Sequence, residues 1–172
     1  MVSNTFENLD TDKKTRIIDS LLNEFSNHTL NEAQVSRIVK ESGIARGAFY
    51  KYFDDLKDAY SHLYGIAMRD IHQDIETERS ESPSAYVQQT REFVEKSKDS
   101  RFYSLVKMHI LHNESTFVSV FDDHLITESE YHWATQVMIH ETIKQIMLEP
   151  SAKEILLKKL ANILTTLATE EK

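Results

Sequence analysis

Cysteine is absent from the 172-residue sequence, so neither a disulfide nor a thiolate metal site can form. Glycine and proline are nearly absent too, at three and two. With so few breakers the chain has little use for tight turns, and long helices are expected. No apolar stretch approaches the about 18 residues of a membrane span. The opening MVSNTFENLDTDKKTRIIDSLL holds no apolar run of signal-peptide length. A cytoplasmic, all-α protein without a membrane partner is the expectation. Positive charge is also scarce: 20 Lys and Arg face 28 Asp and Glu, for a net charge of −8. That excludes a general nucleic-acid coat, which needs broad positive charge. It leaves room for a binder that concentrates its cations locally.

What is present is helical periodicity. Ile17, Ile18, Leu21, Leu22 and Phe25 mark a first helix over 12–26, with Asp10 or Thr11 as its cap. A second is expected over 30–42, ended by Gly43 in a left-handed conformation. A short third follows from Ala45 to Tyr52, then a long one over 56–79. Pro83 is placed to begin the next helix, expected over 84–96. Further helices are expected over 101–112, 114–121, 127–148 and 151–169. Residues 33–57 carry five basic residues (Arg37, Lys40, Arg46, Lys51, Lys57) against Glu41, Asp54 and Asp55, a local +2 in an acidic chain.

Helix, glycine, short helix over residues 34–53, QVSRIVKESGIARGAFYKYF, is the order of a helix-turn-helix. Gly43 permits the sharp turn. Ile44 is expected beside Ile38 in the core, and Phe49 and Phe53, four apart, anchor the short helix. Arg46, Gly47, Ala48, Tyr50, Lys51 and Tyr52 are then left on its outer and flanking sides. Gly47 and Ala48 permit close approach to a major groove. Arg46 suits a guanine or a phosphate, while Tyr50, Lys51 and Tyr52 suit phosphates. Thr29, Gln34, Ser36 and Lys57 are further candidate backbone contacts.

The run GIARGAFYKYF closely resembles the recognition-helix signature of the tetracycline-repressor (TetR) family, and the likeness extends over about residues 12–64. The resemblance implies a three-helix DNA-binding head (1–64), a linker helix from near Leu56, and a helical domain (65–172) that dimerises and often binds an effector. Two departures stand out. Ala45 replaces the usual Ser or Thr, so the short helix lacks a hydroxyl cap, a loss of about 1 kcal/mol. Residues 1–56 hold seven basic and nine acidic residues, a net of −2. Modest, salt-sensitive affinity that depends on two heads binding together is therefore expected.

The last two long helices carry apolar residues on more than one face, wider than burial against one neighbour needs. Val137, Met138, Ile143, Leu156, Leu160, Ile163, Leu164 and Leu167 are the candidate dimer contacts, from two helices of each chain. A two-fold homodimer would read a palindromic double-stranded operator. An unknown small-molecule effector would change the separation of the heads. Its candidate liners are Tyr64, Met68, Phe93, Phe102, Tyr103, Met108, His109, Phe117, Phe121 and Trp133, although such residues at helical spacing also describe ordinary core.

No cofactor and no metal is called for. His109 and His112 lie three apart, and His124, His132 and His140 follow with Asp122, Asp123 and Glu141 nearby, but the spacing is no ligand signature. An enzyme reading fails on motifs, since Glu-x-x-His pairs, a phosphate loop and a nucleophile elbow are all missing. A ligand-responsive repressor is the leading reading. The alternative is a TetR-like interaction protein or activator that works through another regulator.

Overall fold

The computed structural model describes residues 3–73, 82–117 and 129–170. Its helices, in chain order, are α1 (Asn4–Glu7), α2 (Thr11–Asn27), α3 (Val35–Ser42), α4 (Arg46–Tyr52), α5 (Leu56–His72), α6 (Pro83–Asp99), α7 (Tyr103–Met108), α8 (Glu114–Phe117), α9 (Glu130–Leu148) and α10 (Lys153–Glu170). A π-helical turn, His109–Asn113, joins α7 to α8, and a 3-10 turn, Pro150–Ala152, precedes α10. No strand occurs among the described residues. The helix starts follow from side-chain caps. Asp10 accepts from the Lys13 amide at 2.9 Å, Ser82 from Ala85 at 3.2 Å with Pro83 in the first turn, and Ser129 from His132 at 3.2 Å.

Two compact units emerge: Met1–Asp70 with Arg101–Thr116, and Ile71–Ser100 with Phe117–Lys172. A single boundary at residue 64 does not capture the first unit, because α7 packs on α2. Phe102, Leu105 and Val106 are buried there, and Arg101 pairs with Asp19. The core of this unit includes Ile17, Leu21, Phe25, Ile38, Phe49 and Phe53. Full burial of side chains of this size contributes about 1.5–3 kcal/mol each.

α3 starts at Val35, five residues later than the apolar pattern suggested. Thr29 and Glu32 account for the delay. The Glu32 carboxylate accepts from the Thr29 hydroxyl at 2.8 Å and its amide at 3.3 Å, closing a turn. The helix expected over 101–112 is interrupted by the π-helical turn. The one expected from 127 is described from Glu130. Helix expected over 74–79 and 118–121 lies outside the described residues.

In the second unit α6, α9 and α10 pack together. Tyr86, Leu160 and Leu164 form a buried cluster, flanked by Val87, Tyr131, Ile139 and Leu167. Arg91 holds Glu154 through bonds of 2.6 and 2.8 Å, and Lys153 holds Glu95 at 2.8 Å. The candidate dimer contacts are corrected accordingly. Leu160, Leu164 and Ile143 are buried inside this unit, because packing of α10 against α6 and α9 consumes that stripe.

Candidate nucleic-acid interface

α3 buries Val35 and Ile38 and ends at Gly43, whose φ of 69° is left-handed. Glycine enters that region without the Cβ clash that other residues meet. Ile44 is half-buried after the turn, its amide bonded to the Val39 carbonyl at 3.2 Å. Ala45, in extended conformation, precedes α4 and gives it no side-chain cap. Phe49 and Phe53 are fully buried, as their spacing required.

Arg46, Gly47, Tyr50 and Lys51 are exposed on α4, with Ala48 half-buried between them. The Arg46 guanidinium lies 5.9 Å from the Tyr50 ring centroid, one turn away. This cation–π contact holds the charge on the outer face. Gly47 is the informative residue. Its φ is not positive, and a Cβ built on it would meet nothing within 4 Å. Neither the backbone nor the neighbours require glycine, which in a helix costs about 1 kcal/mol relative to alanine. The surface there is smooth and open, as close approach of a duplex demands.

Tyr52 does not stand on the outer side. It is 5% exposed, with its ring 5.8 Å from that of Phe6 and under the Lys13 ammonium at 5.9 Å. α1 causes this, and the sequence reading missed it. The Ser3 hydroxyl donates to the Lys51 carbonyl at 2.6 Å, and the Ser3 amide to the Tyr52 carbonyl at 3.1 Å. Phe6 is fully buried and also packs on Phe53 at 5.0 Å and on His62 at 5.3 Å. The N-terminal segment is thus pinned to the end of α4. Its signal in the sequence was one phenylalanine too isolated to show a period.

The flanking polar residues divide. Gln34 and Ser36 are exposed and bonded to each other at 3.3 Å. Thr29 is half-buried, its hydroxyl engaged by Glu32. Lys57 is exposed in the first turn of α5. Asp55 starts that helix, accepting from the Asp58 amide at 2.7 Å, while Asp58 reaches back to the Asp54 amide at 3.1 Å. Arg37 contributes little to the outer charge. Buried Glu24 takes its Nε at 2.8 Å, and Arg37 also donates to the Glu32 carbonyl at 2.8 Å.

The π-helical turn steadies the approach to α3. Buried Asn113 accepts from the Leu30 amide at 2.9 Å and donates to the Tyr60 hydroxyl at 3.3 Å. That hydroxyl lies 3.2 Å from His109 Nδ1, and Tyr64 stacks on the His109 ring at 4.0 Å. Burial pushes the Tyr60 phenol up to about 12, so it stays a neutral donor. Such turns recur where a helix is bent for a purpose.

Residues 17–58, spanning α3, the turn and α4, match the family profile of bacterial regulatory proteins, tetR family. The match covers 42 of the 172 residues and includes the whole helix-turn-helix, so this head is similar to the DNA-binding domain of that family. Two solved structures share the fold of the chain. A TetR family transcriptional regulator from Chloroflexus aurantiacus J-10-FL has a TM-score of 0.59 and 17% identity, covering 97% of this chain and 96% of that one. A Streptomyces coelicolor protein named as a transcriptional regulator, SCO4942, has a TM-score of 0.52 and 15% identity, covering 90% and 97%. No curated protein sequence matches the chain.

The second unit carries a cleft of about 680 Å³ between α6 and α9. Of the effector-pocket candidates, Phe93 and Trp133 line it. Tyr64, Met68, Phe102, Tyr103, Met108 and His109 belong to the other unit instead, with Tyr64 and His109 engaged around the π-helical turn. The side chain of Phe117 and all of Phe121 lie outside the described residues. Residues missed by the sequence reading, among them Tyr86, Thr90 and Glu141, complete the walls, together with Val137 and Ile143 from the dimer set. Among the described residues no group of three or more His, Asp or Glu could hold a metal. His124, Asp122 and Asp123 fall outside them. No described helix is long and apolar enough to cross a membrane.

Proposed function

We propose that this protein is a ligand-responsive repressor that binds a palindromic DNA operator as a homodimer. The observation that carries the DNA reading is the open surface at Gly47, bordered by exposed Arg46, Tyr50 and Lys51. A helix with that surface fits a major groove, where Arg46 pairs with a guanine edge and Tyr50 and Lys51 take phosphates. Gln34, Ser36 and Lys57 add backbone contacts. The local cation count is small, so one head binds weakly and two heads on one duplex supply the affinity.

Exposed apolar side chains support the dimer. Met138 on α9 and Ile155 and Ile163 on α10 lie in water in the single chain, Ile155 at 63% exposure. Leu156 and Leu167 are half-buried beside them. A second copy of the same helices would cover this surface by two-fold symmetry. The cleft in the second unit is of ligand size. A ligand that binds better to one head spacing than to another would shift the operator affinity.

Selection of bound sequences from a random duplex pool by the full-length protein tests this. Two inverted half-sites with centres about 10 base pairs apart, or a multiple of that, are the expected result. A single unrepeated site, or no enrichment at low salt, would overturn it.

A further inference from the structure

α4 is seven residues long, and a helix that short does not hold its shape in water without outside support. Its N-cap, Ala45, offers no side-chain acceptor. Its C-cap, Phe53, is extended, with φ of −131°, rather than the left-handed residue that commonly closes a helix and satisfies its last carbonyls. A residue from outside the helix-turn-helix takes two of those carbonyls instead. The Ser3 hydroxyl donates to Lys51 at 2.6 Å, and the Ser3 amide donates to Tyr52 at 3.1 Å.

Ser3 is itself held in place. Its hydroxyl oxygen accepts the Phe6 amide at 3.3 Å, and the fully buried Phe6 ring packs on Tyr52, Phe53 and His62. Glu7 accepts from Lys14 of α2 at 2.6 Å. α1 is thus moored both to α2 and to the helix that it caps.

Lys51 joins the two ends of this arrangement. Its carbonyl is held by Ser3, while its side chain is exposed on the outer face of α4 beside Tyr50. Were the last turn of α4 to fray, both side chains would have to be ordered at each encounter with a duplex, and binding would weaken. From this shared residue we infer that Ser3 and Phe6 are positioning residues for DNA recognition: they clamp the C-terminal turn of α4, so that Lys51 meets the phosphate backbone from a fixed place. The inference rests on the reading of α4 as the DNA-contacting helix and adds to it two residues that themselves need not touch the duplex.

The test uses the full-length protein, the duplex enriched from the random pool, and amide hydrogen exchange without DNA. Ser3→Ala removes the hydroxyl with both of its bonds and should weaken duplex binding about fivefold. Ser3→Thr keeps the hydroxyl and should restore the affinity, while Phe6→Leu, which loosens the packing on Tyr52, should weaken it. In free Ser3→Ala the amides from Tyr50 to Phe53 should exchange about fivefold faster, with those of α2 and α3 at parental rates. In a Lys51→Ala background, Ser3→Ala should change the affinity by less than about twofold, because the side chain that it places is gone.

A serine that only stabilised the fold would speed exchange in α2 and α3 as well, and its effect would add in full to that of Lys51→Ala. Either result, or parental affinity in Ser3→Ala, would overturn the inference. The two readings fail differently. Parental affinity in Lys51→Ala removes the contact assignment on α4 and this inference with it. Weakened binding in Lys51→Ala beside parental binding in Ser3→Ala removes the clamp and leaves the contact assignment standing.

Discussion

The Glu24 carboxylate, at the C-terminal end of α2, holds the Arg37 guanidinium of α3, with Oε2 at 2.8 Å from Nε, and its Oε1 also accepts the Gln34 amide at 2.7 Å. One buried acidic group thus locks the first helix of the helix-turn-helix to the helix that precedes it. It also removes Arg37 from the set of cations available to DNA. Loss of this anchor by Glu24→Gln should destabilise the protein by about 2–4 kcal/mol, because it leaves Arg37 without its partner charge and disturbs a buried junction. Burial raises the Glu24 pKa, but the bonds from Arg37 and Gln34 outweigh it and hold the carboxyl below its ordinary 4.5. The stabilisation is therefore complete above pH 4.5 and is lost as pH falls through the lowered value. Acid titration of the melting temperature checks this, and the Gln variant should flatten that part of the profile.

The same pairing separates two kinds of basic residue. Arg37→Ala should lower the melting temperature yet leave the salt dependence of DNA binding unchanged. Lys51→Ala should do the reverse, reducing the slope of log affinity against log salt by about one for each head. Anisotropy titrations over a range of salt concentrations measure both.

Gly47→Ala should raise thermal stability by up to about 1 kcal/mol, because alanine favours the helix and its methyl group meets nothing in the protein. Operator affinity should fall, since that methyl group occupies the gap where the duplex approaches. A gain in stability with unchanged affinity would place the DNA elsewhere.

Ala45→Ser tests the missing cap. Residue 45 already has the extended conformation of a capping residue and makes no side-chain bond. A serine there can accept an unpaired amide of the first turn, for a gain of about 1 kcal/mol in unfolding free energy.

His62 gives the head a second pH dependence. Its Nε2 is buried without a hydrogen-bond partner, and its ring sits among Phe6 and Phe53. Burial pushes its pKa below 6.5; Arg69 and Lys14 lower it further, while Glu7 and Asp58 oppose them. The neutral ring is favoured in the folded state, so this contribution is full above pH 6.5 and declines as pH falls below it. The melting temperature should drop across that window, and His62→Leu should remove the drop.

The helix-turn-helix was legible because its signals are local. Gly43, the Phe49 and Phe53 spacing, the Asp55 cap and Pro83 each act within a turn of their own position. What escaped was set by partners distant in sequence. Tyr52 turned inward because Phe6, forty-six positions earlier, packs on it. The start of α3 shifted because Thr29 and Glu32 close a turn and Asn113 binds the Leu30 amide. Leu160 and Leu164 read as a second interface stripe, since a helix buried against two neighbours of its own unit has the same wide apolar face as one at a dimer. The cleft was half visible: Phe93 and Trp133 carry no mark in the sequence that separates a cavity wall from a core.

The central claim is that the exposed face of α4 contacts the DNA, and the Arg46→Ala, Lys51→Ala double variant tests it most directly. Binding to the selected operator, followed by fluorescence anisotropy at fixed salt, should weaken on the order of 100-fold while the melting temperature stays that of the parent protein. Operator affinity and salt slope equal to those of the parent would contradict the account.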